Sequence, residues 1–127
     1  MLSIKVILTK ILTELTGKAD KSSFGPTVLY NQTTNADATQ DTYTEVSIAT
    51  LANWNVVSVR CRVLQTTQQL IFVRGVSAES YLVYTDSSGT VTRGGFLIDW
   101  TNNKLKVRWT HGSANTNIYA GSVYGLF

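Results

Sequence analysis

Two hydrophobic periods divide this chain. Over residues 1–16, Met1, Ile4, Leu8, Ile11 and Leu15 recur at alternating spacings of three and four. These are heptad core positions, with Met1, Leu8 and Leu15 at a and Ile4 and Ile11 at d. Ile7 and Leu12 widen the stripe to the flanking g and e positions. The pattern predicts a helix over 1–17, stopped by Gly17, and a polar linker over 18–26. A helix this short, rich in β-branched Ile, Val and Thr, is marginal alone in water and takes its stability from packing. Docking on its own domain is one way to supply that packing. Self-association through Ile4, Leu8, Ile11 and Leu15 is the way the regular seam favours. Leu at a with Ile at d disfavours a parallel dimer and leaves three or four strands open.

After Phe24-Gly25-Pro26 the period becomes two. In Trp54–Leu64, Val57, Val59, Cys61 and Val63 face one way while Ser58, Arg60 and Arg62 face the other. In Lys104–Thr110, Leu105, Val107 and Trp109 alternate with Lys104, Lys106 and Arg108. Such alternation predicts antiparallel strands with one wet face, and these apolar positions form the expected core between two sheets. Further strands are expected at 27–34, 43–50, 68–74, 80–84, 90–100 and 117–127. Val46, Ile48 and Thr50 share a face in the second of these, and Leu70-Ile71-Phe72-Val73 reads as a buried run. Asp86-Ser87-Ser88-Gly89 and Thr101-Asn102-Asn103 are hairpin turns by their residue types. Eight short strands over 27–127 predict a mainly β fold: an antiparallel β-sandwich or jelly-roll-like head, preceded by a short coiled-coil helix.

Composition agrees with that class. Of 127 residues only 15% are charged, against a typical fraction of about 25%. Ser and Thr, 29 residues together, take up the difference and suit the wet faces of strands. A single cysteine, Cys61, excludes an internal disulfide and a Cys-based zinc site, and its place in an apolar alternation makes it a small core residue. No apolar run is long enough to span a membrane. The N-terminal stretch carries Lys10 and Glu14 inside its apolar positions and no small-residue cleavage site, so a soluble chain without an export signal is expected.

Catalytic chemistry has little to stand on. His111 falls in an expected loop with no acid close in sequence. Gly121-Ser122-Val123-Tyr124-Gly125 lacks the glycine spacing of a nucleophile elbow. Asp41, Glu45 and Asp99 form no specific acid pair for glycoside hydrolysis. No metal-ligand spacing and no phosphate-cradling glycine loop occurs. We therefore expect no enzyme, no cofactor and no metal. The net charge of +3 is spread thinly. Lys104, Lys106 and Arg108 make one basic strand face and Arg60 and Arg62 another, which would attract a phosphate polymer only if those strands were neighbours. Protecting the sheet from edge pairing explains them as well. Trp54, Trp100 and Trp109 fall on apolar phases rather than beside the bases, so nucleic acid is not an expected partner.

The organisation resembles a known family. A short heptad helix, Ile4-Lys5-Val6-Ile7-Leu8-Thr9-Lys10-Ile11-Leu12, feeds a Thr/Ser/Asn-rich β-domain entered at Leu29-Tyr30. The chain closes on Ile118-Tyr119-Ala120-Gly121-Ser122-Val123-Tyr124-Gly125-Leu126-Phe127, where a Tyr-Gly pair precedes a final apolar residue. This layout is similar to the distal head of bacteriophage tail-fibre and baseplate receptor-binding proteins encoded by phages and prophages of gut bacteria. The resemblance implies a homotrimer joined by its helices, with heads packed about a threefold axis. It also implies attachment to a host cell-surface saccharide, other phage tail or baseplate proteins as partners, and a place in the virion after synthesis in the bacterial cytoplasm. No binding residue carries over, so ligand-binding residues are not assigned. The polar regions 31–41, 85–92 and 111–117 are the candidates, and the closing strand, with Tyr119, Val123, Tyr124, Leu126 and Phe127, is the expected contact between heads. A carbohydrate-binding module of a secreted bacterial enzyme or adhesin is the alternative; it would not need the heptad segment.

Overall fold

A computed structural model describes residues 3–20, 26–112 and 117–127, and among these the side chains of 14–20 lie outside the described set. Helix α1 spans Ile4–Asp20. It begins where Ser3 caps it, the Ser3 Oγ accepting the Val6 N–H at 3.3 Å. The helix runs through Gly17, the expected stop, to Asp20. A glycine weakens a helix interior by about 1 kcal/mol but does not block it. Thr9 and Thr13 turn their hydroxyls back onto the Lys5 and Thr9 carbonyls at 2.8 and 2.9 Å, which satisfies them without a partner outside the helix.

The rest is two antiparallel sheets. One contains β1 (Thr27–Tyr30), β2 (Thr34–Asn35), β4 (Val56–Val63), β5 (Thr66–Val73) and β9 (Ile118–Gly125) in the order β1-β9-β4-β5, with β2 also on β9. The other is β3 (Thr44–Ser47), β8 (Lys104–His111), β7 (Val91–Asp99) and β6 (Ser80–Thr85) in that order. Hairpins β4–β5 and β6–β7–β8 stay within their sheets, whereas the chain crosses between sheets before β3, β4, β6 and β9. The inner faces meet in one core, where Val57, Val59, Cys61 and Val63 oppose Phe96, Ile98, Leu105 and Val107 from the other sheet. Burial of Cys61 pushes its thiol well above the usual range, so it behaves as a hydrophobe.

Both expected hairpin turns form. Asp86 Oδ1 accepts the Ser88 and Thr90 N–H groups, each at 2.9 Å, and Gly89 takes the left-handed conformation that turn needs. Asp99 Oδ2 holds the Asn102 amide at 2.9 Å in the second turn, and that contact with Asn102, helped by Lys106, lowers the Asp99 pKa to about 2.

Several strand expectations change. The segment 27–34 is two strands rather than one, both paired to β9. The segment 43–50 ends early: Ala49–Asn53 form a 3-10 turn, Ile48 is buried at its entry, and Thr50 is exposed rather than sharing the face of Val46. β5 is an edge strand, so only Phe72 of its apolar run is fully buried and Ile71 lies open on the outer face. Trp109 is half-buried rather than central. The β7–β8 register shifts between Arg93 and Gly94, and Thr110 is buried beside it. Trp109 keeps to the sheet margin, its Nε1 donating to the His111 carbonyl at 2.9 Å. His111 itself ends β8 and is not a loop residue.

Candidate functional site

The residues expected to drive association sit on α1. Ile4, Leu8 and Ile11 are 76%, 59% and 51% exposed, and their spacing puts them on one face. Ile7 and Leu12 beside them are open as well. None of these five belongs to the core or packs against it. Leu15 lies within the helix, but its side chain is outside the described residues, as is Met1. The stripe is therefore apolar surface that the other described residues do not cover.

The closing strand is expected to bring Tyr119, Val123, Tyr124, Leu126 and Phe127 to a contact between heads, and of these Val123 is withdrawn into the core. β9 is central, paired to β1 and β2 on one side and β4 on the other, and Val123 is fully buried. Its backbone has no free edge to offer along these pairings. Tyr119, Ser122, Tyr124 and Leu126 keep some exposure, and Phe127 is open.

The two basic strand faces lie on different sheets, β4 in one and β8 in the other, so they do not merge. The β8 face is neutralised where it stands. Lys104 and Lys106 reach Glu45 at 3.0 and 3.1 Å, Lys106 also reaches Asp99 at 3.2 Å, and Arg108 binds both carboxylate oxygens of Glu79. Strand pairing sets Tyr81, Gly95 and Arg108 in one row across this sheet. Gly95 has no side chain, and a Cβ there would overlap the Glu79 carboxylate, so the glycine is what lets Glu79 lie against Arg108. Tyr43 flanks the row with its ring 4.7 Å from the guanidinium, and Tyr81 donates to Glu79 at 2.9 Å. Burial pushes the Glu79 pKa up, but hydrogen bonds from Arg108, Tyr81 and Tyr43 outweigh it and hold the carboxyl below the usual range. The same Glu79 contact raises Arg108. This face is a closed polar network, with its donors and acceptors already matched to one another.

The outer face of the other sheet is different. Its five strands contain no Asp or Glu, yet β4 presents Arg60 and Arg62 there. Arg62 is engaged: its Nε donates to the Leu64 carbonyl at 2.5 Å and its Nη1 to the Tyr119 hydroxyl at 3.3 Å. Arg60 is exposed and has no hydrogen-bond or ion-pair partner among the described residues. It stands at a β-bulge. Val59 pairs with Val123 and Cys61 with Ala120, so Gly121 and Ser122 together oppose Arg60 alone. The bulge opens a polar hollow of about 140 Å³ lined by Arg60, Tyr119, Gly121 and Ser122, and closed by Asn31, Gln32 and Thr33 from the β1–β2 connection.

Of the three polar regions expected to bind, 31–41 thus contributes to a hollow. The turn in 85–92 is folded onto Asp86, and residues 113–116 of the third region lie outside the described set. The signal for the hollow was Gly121-Ser122 interrupting the alternation of the closing strand, a pattern that marks bulges. A larger open groove of about 660 Å³ runs between Arg74–Ala78 and Leu97–Thr101. Its cation, Arg74, is bonded to the Leu51 and Trp54 carbonyls at 2.9 and 2.8 Å and stacks 4.6 Å from Trp100, so it staples the 3-10 turn to β5. Among the described residues no helix is long and apolar enough to cross a membrane. Compared with known proteins, the chain matches no family model, no curated protein and no solved structure.

Proposed function

We propose that this chain is the receptor-binding head of a bacteriophage tail fibre or baseplate, a virion structural protein rather than an enzyme. In this reading α1 joins three copies as a short coiled-coil stalk, and each sandwich head attaches to a host cell-surface saccharide. The observation that carries it is the open stripe of Ile4, Leu8 and Ile11 on a helix attached to a head that already buries its own core. Such a stripe is costly to leave in water, and a second and third copy would cover it. Polar heads with shallow hollows bind weakly one at a time; three on one stalk, and many stalks on one tail, give tight attachment through effective concentration.

Binding of fluorescently labelled protein to gut bacterial cells tests the reading. On any strain that binds it, the full chain should show an apparent affinity at least about 100-fold above that of residues 26–127, the avidity lost with the stalk. Equal affinities would contradict a multivalent stalk and favour a monovalent carbohydrate-binding module.

A further inference from the structure

We propose that the hollow at the β4–β9 bulge binds the anionic substituent of a saccharide, a carboxylate or phosphate on a hydroxyl-bearing ring. The inference names a ligand class for the receptor-binding reading and rests on it.

Charge is the first ground. In the β8 row each cation has a carboxylate within 3.2 Å, so an incoming anion would have to displace Glu45, Asp99 or Glu79. Arg74 is occupied by backbone carbonyls, and Arg93 by the Thr110 hydroxyl at 2.8 Å. Among the described cations of the two sheets, Arg60 is left with its donors facing solvent, on a sheet whose strands carry no acid. A guanidinium offers a planar fork that matches a carboxylate or phosphate.

Shape is the second ground. Gly121 and Ser122 bulge out of register opposite Arg60, which is how sheets re-aim a side chain and open space beside it. The floor at Gly121 is bare, and a Cβ there would come 3.9 Å from Arg60 Cβ, so any side chain would begin to fill the space. Asn31, Gln32, Thr33 and Ser122 line the same hollow, residues whose amides and hydroxyls are donors and acceptors suited to ring hydroxyls. Tyr119, held by Arg62, supplies an aromatic wall.

Size sets the limit. A hollow of about 140 Å³ is well below the 300–1,000 Å³ of drug-sized sites, so it takes one substituent and its ring and leaves the rest of a glycan on the surface. Weak single-site binding, amplified by copy number, follows.

The test is an amide-shift NMR titration of the full ¹⁵N-labelled protein with sodium glucuronate, inorganic phosphate and glucose. Glucuronate and phosphate should shift the amides of Asn31, Gln32, Thr33, Gly121 and Ser122 saturably, with glucose at least about tenfold weaker, the scale of one charge-assisted hydrogen bond. Arg60→Gln should weaken glucuronate by about the same factor, and Arg60→Lys should restore part of it, because charge remains while the fork is lost. Arg60 is exposed, so both variants should fold as the parent does. Equal response to glucose and glucuronate, indifference to Arg60→Gln, or shifts centred on Lys104–Arg108 would each overturn the proposal. The titration reads one hollow and the cell-binding comparison reads the stalk. Loss of the anion response with retained avidity sinks this inference alone, and the reverse result sinks the stalk alone.

Discussion

Phe96→Ala should destabilise the head by about 3–5 kcal/mol, the usual cost of removing a buried ring from a packed core. Phe96 is fully buried in the middle of β7, paired to Ser80 on one side and Val107 on the other. The core is assembled from both sheets, so the cavity would open between two layers that β-ladders hold in place, and neither layer can collapse freely. Urea unfolding followed by tryptophan fluorescence measures it, with an unchanged slope and a lower midpoint as the expected result. Trp109→Ala serves as the comparison. Its half-buried ring at the sheet margin should cost less than Phe96 does, although its strand phase alone would rank it among the core. A loss below about 1 kcal/mol for Phe96→Ala would mean that the two sheets do not pack as described.

The second large effect comes from adding atoms. Gly94 neighbours Phe96 on β7, and a Cβ at Gly94 would sit 2.8 Å from Ile118 Cγ2 and 2.8 Å from Val63 Cγ2. Both are fully buried residues of the opposite sheet. Gly94 is thus a point of close approach between the sheets, and no exposed, flexible side chain is there to give way. Gly94→Ala should cost about 1–3 kcal/mol by overpacking, even though alanine is otherwise the better strand former. Val63→Ala alone should also destabilise, but the double variant should lose less than the sum, since each change relieves the other. Strict additivity in the unfolding free energies would contradict the contact.

Much of this fold was legible in the alternation. Val57, Val59, Cys61 and Val63 read as one inner face and are all fully buried, as are Leu105 and Val107. The turn at Asp86–Gly89 was legible because Asp and Gly each have a local reason to be there: a side-chain acceptor and a left-handed backbone. Period-two patterns do not say which sheet a strand joins. That is why Arg60 and Arg62 could be imagined beside Lys104, Lys106 and Arg108, when they lie on separate sheets. Nor do they show which strand is central. The apolar closing strand read as a contact between heads; the long-range pairings of β1, β2 and β4 make it central and bury Val123, while Tyr119, Tyr124, Leu126 and Phe127 keep some exposure. The register shifts opposite Arg60 and beside Thr110 depend on pairing partners distant in sequence, and so do the hollow and the half-exposed position of Trp109. The helix was visible as a stripe, but Gly17 was over-read as a stop, since one glycine without a following left-handed turn does not end a helix.

The polar sites follow the same logic. Region 31–41 stood out by composition, yet the cation that completes its hollow comes from β4 and the aromatic wall from β9. Glu79 carries no signal in the sequence. It matters because Gly95 leaves room for it against Arg108, and that pairing turns a basic strand into a neutral face.

In the proposed trimer α1 holds copies of this chain together through Ile4, Leu8 and Ile11. Light scattering on the full chain tests it most directly. The expected mass is three times the 14.0 kDa of one chain, falling to one chain mass when Leu8 and Ile11 are both replaced by Asp while the head unfolds at an unchanged denaturant midpoint. A full-length protein that stays at one chain mass across micromolar concentrations would contradict it.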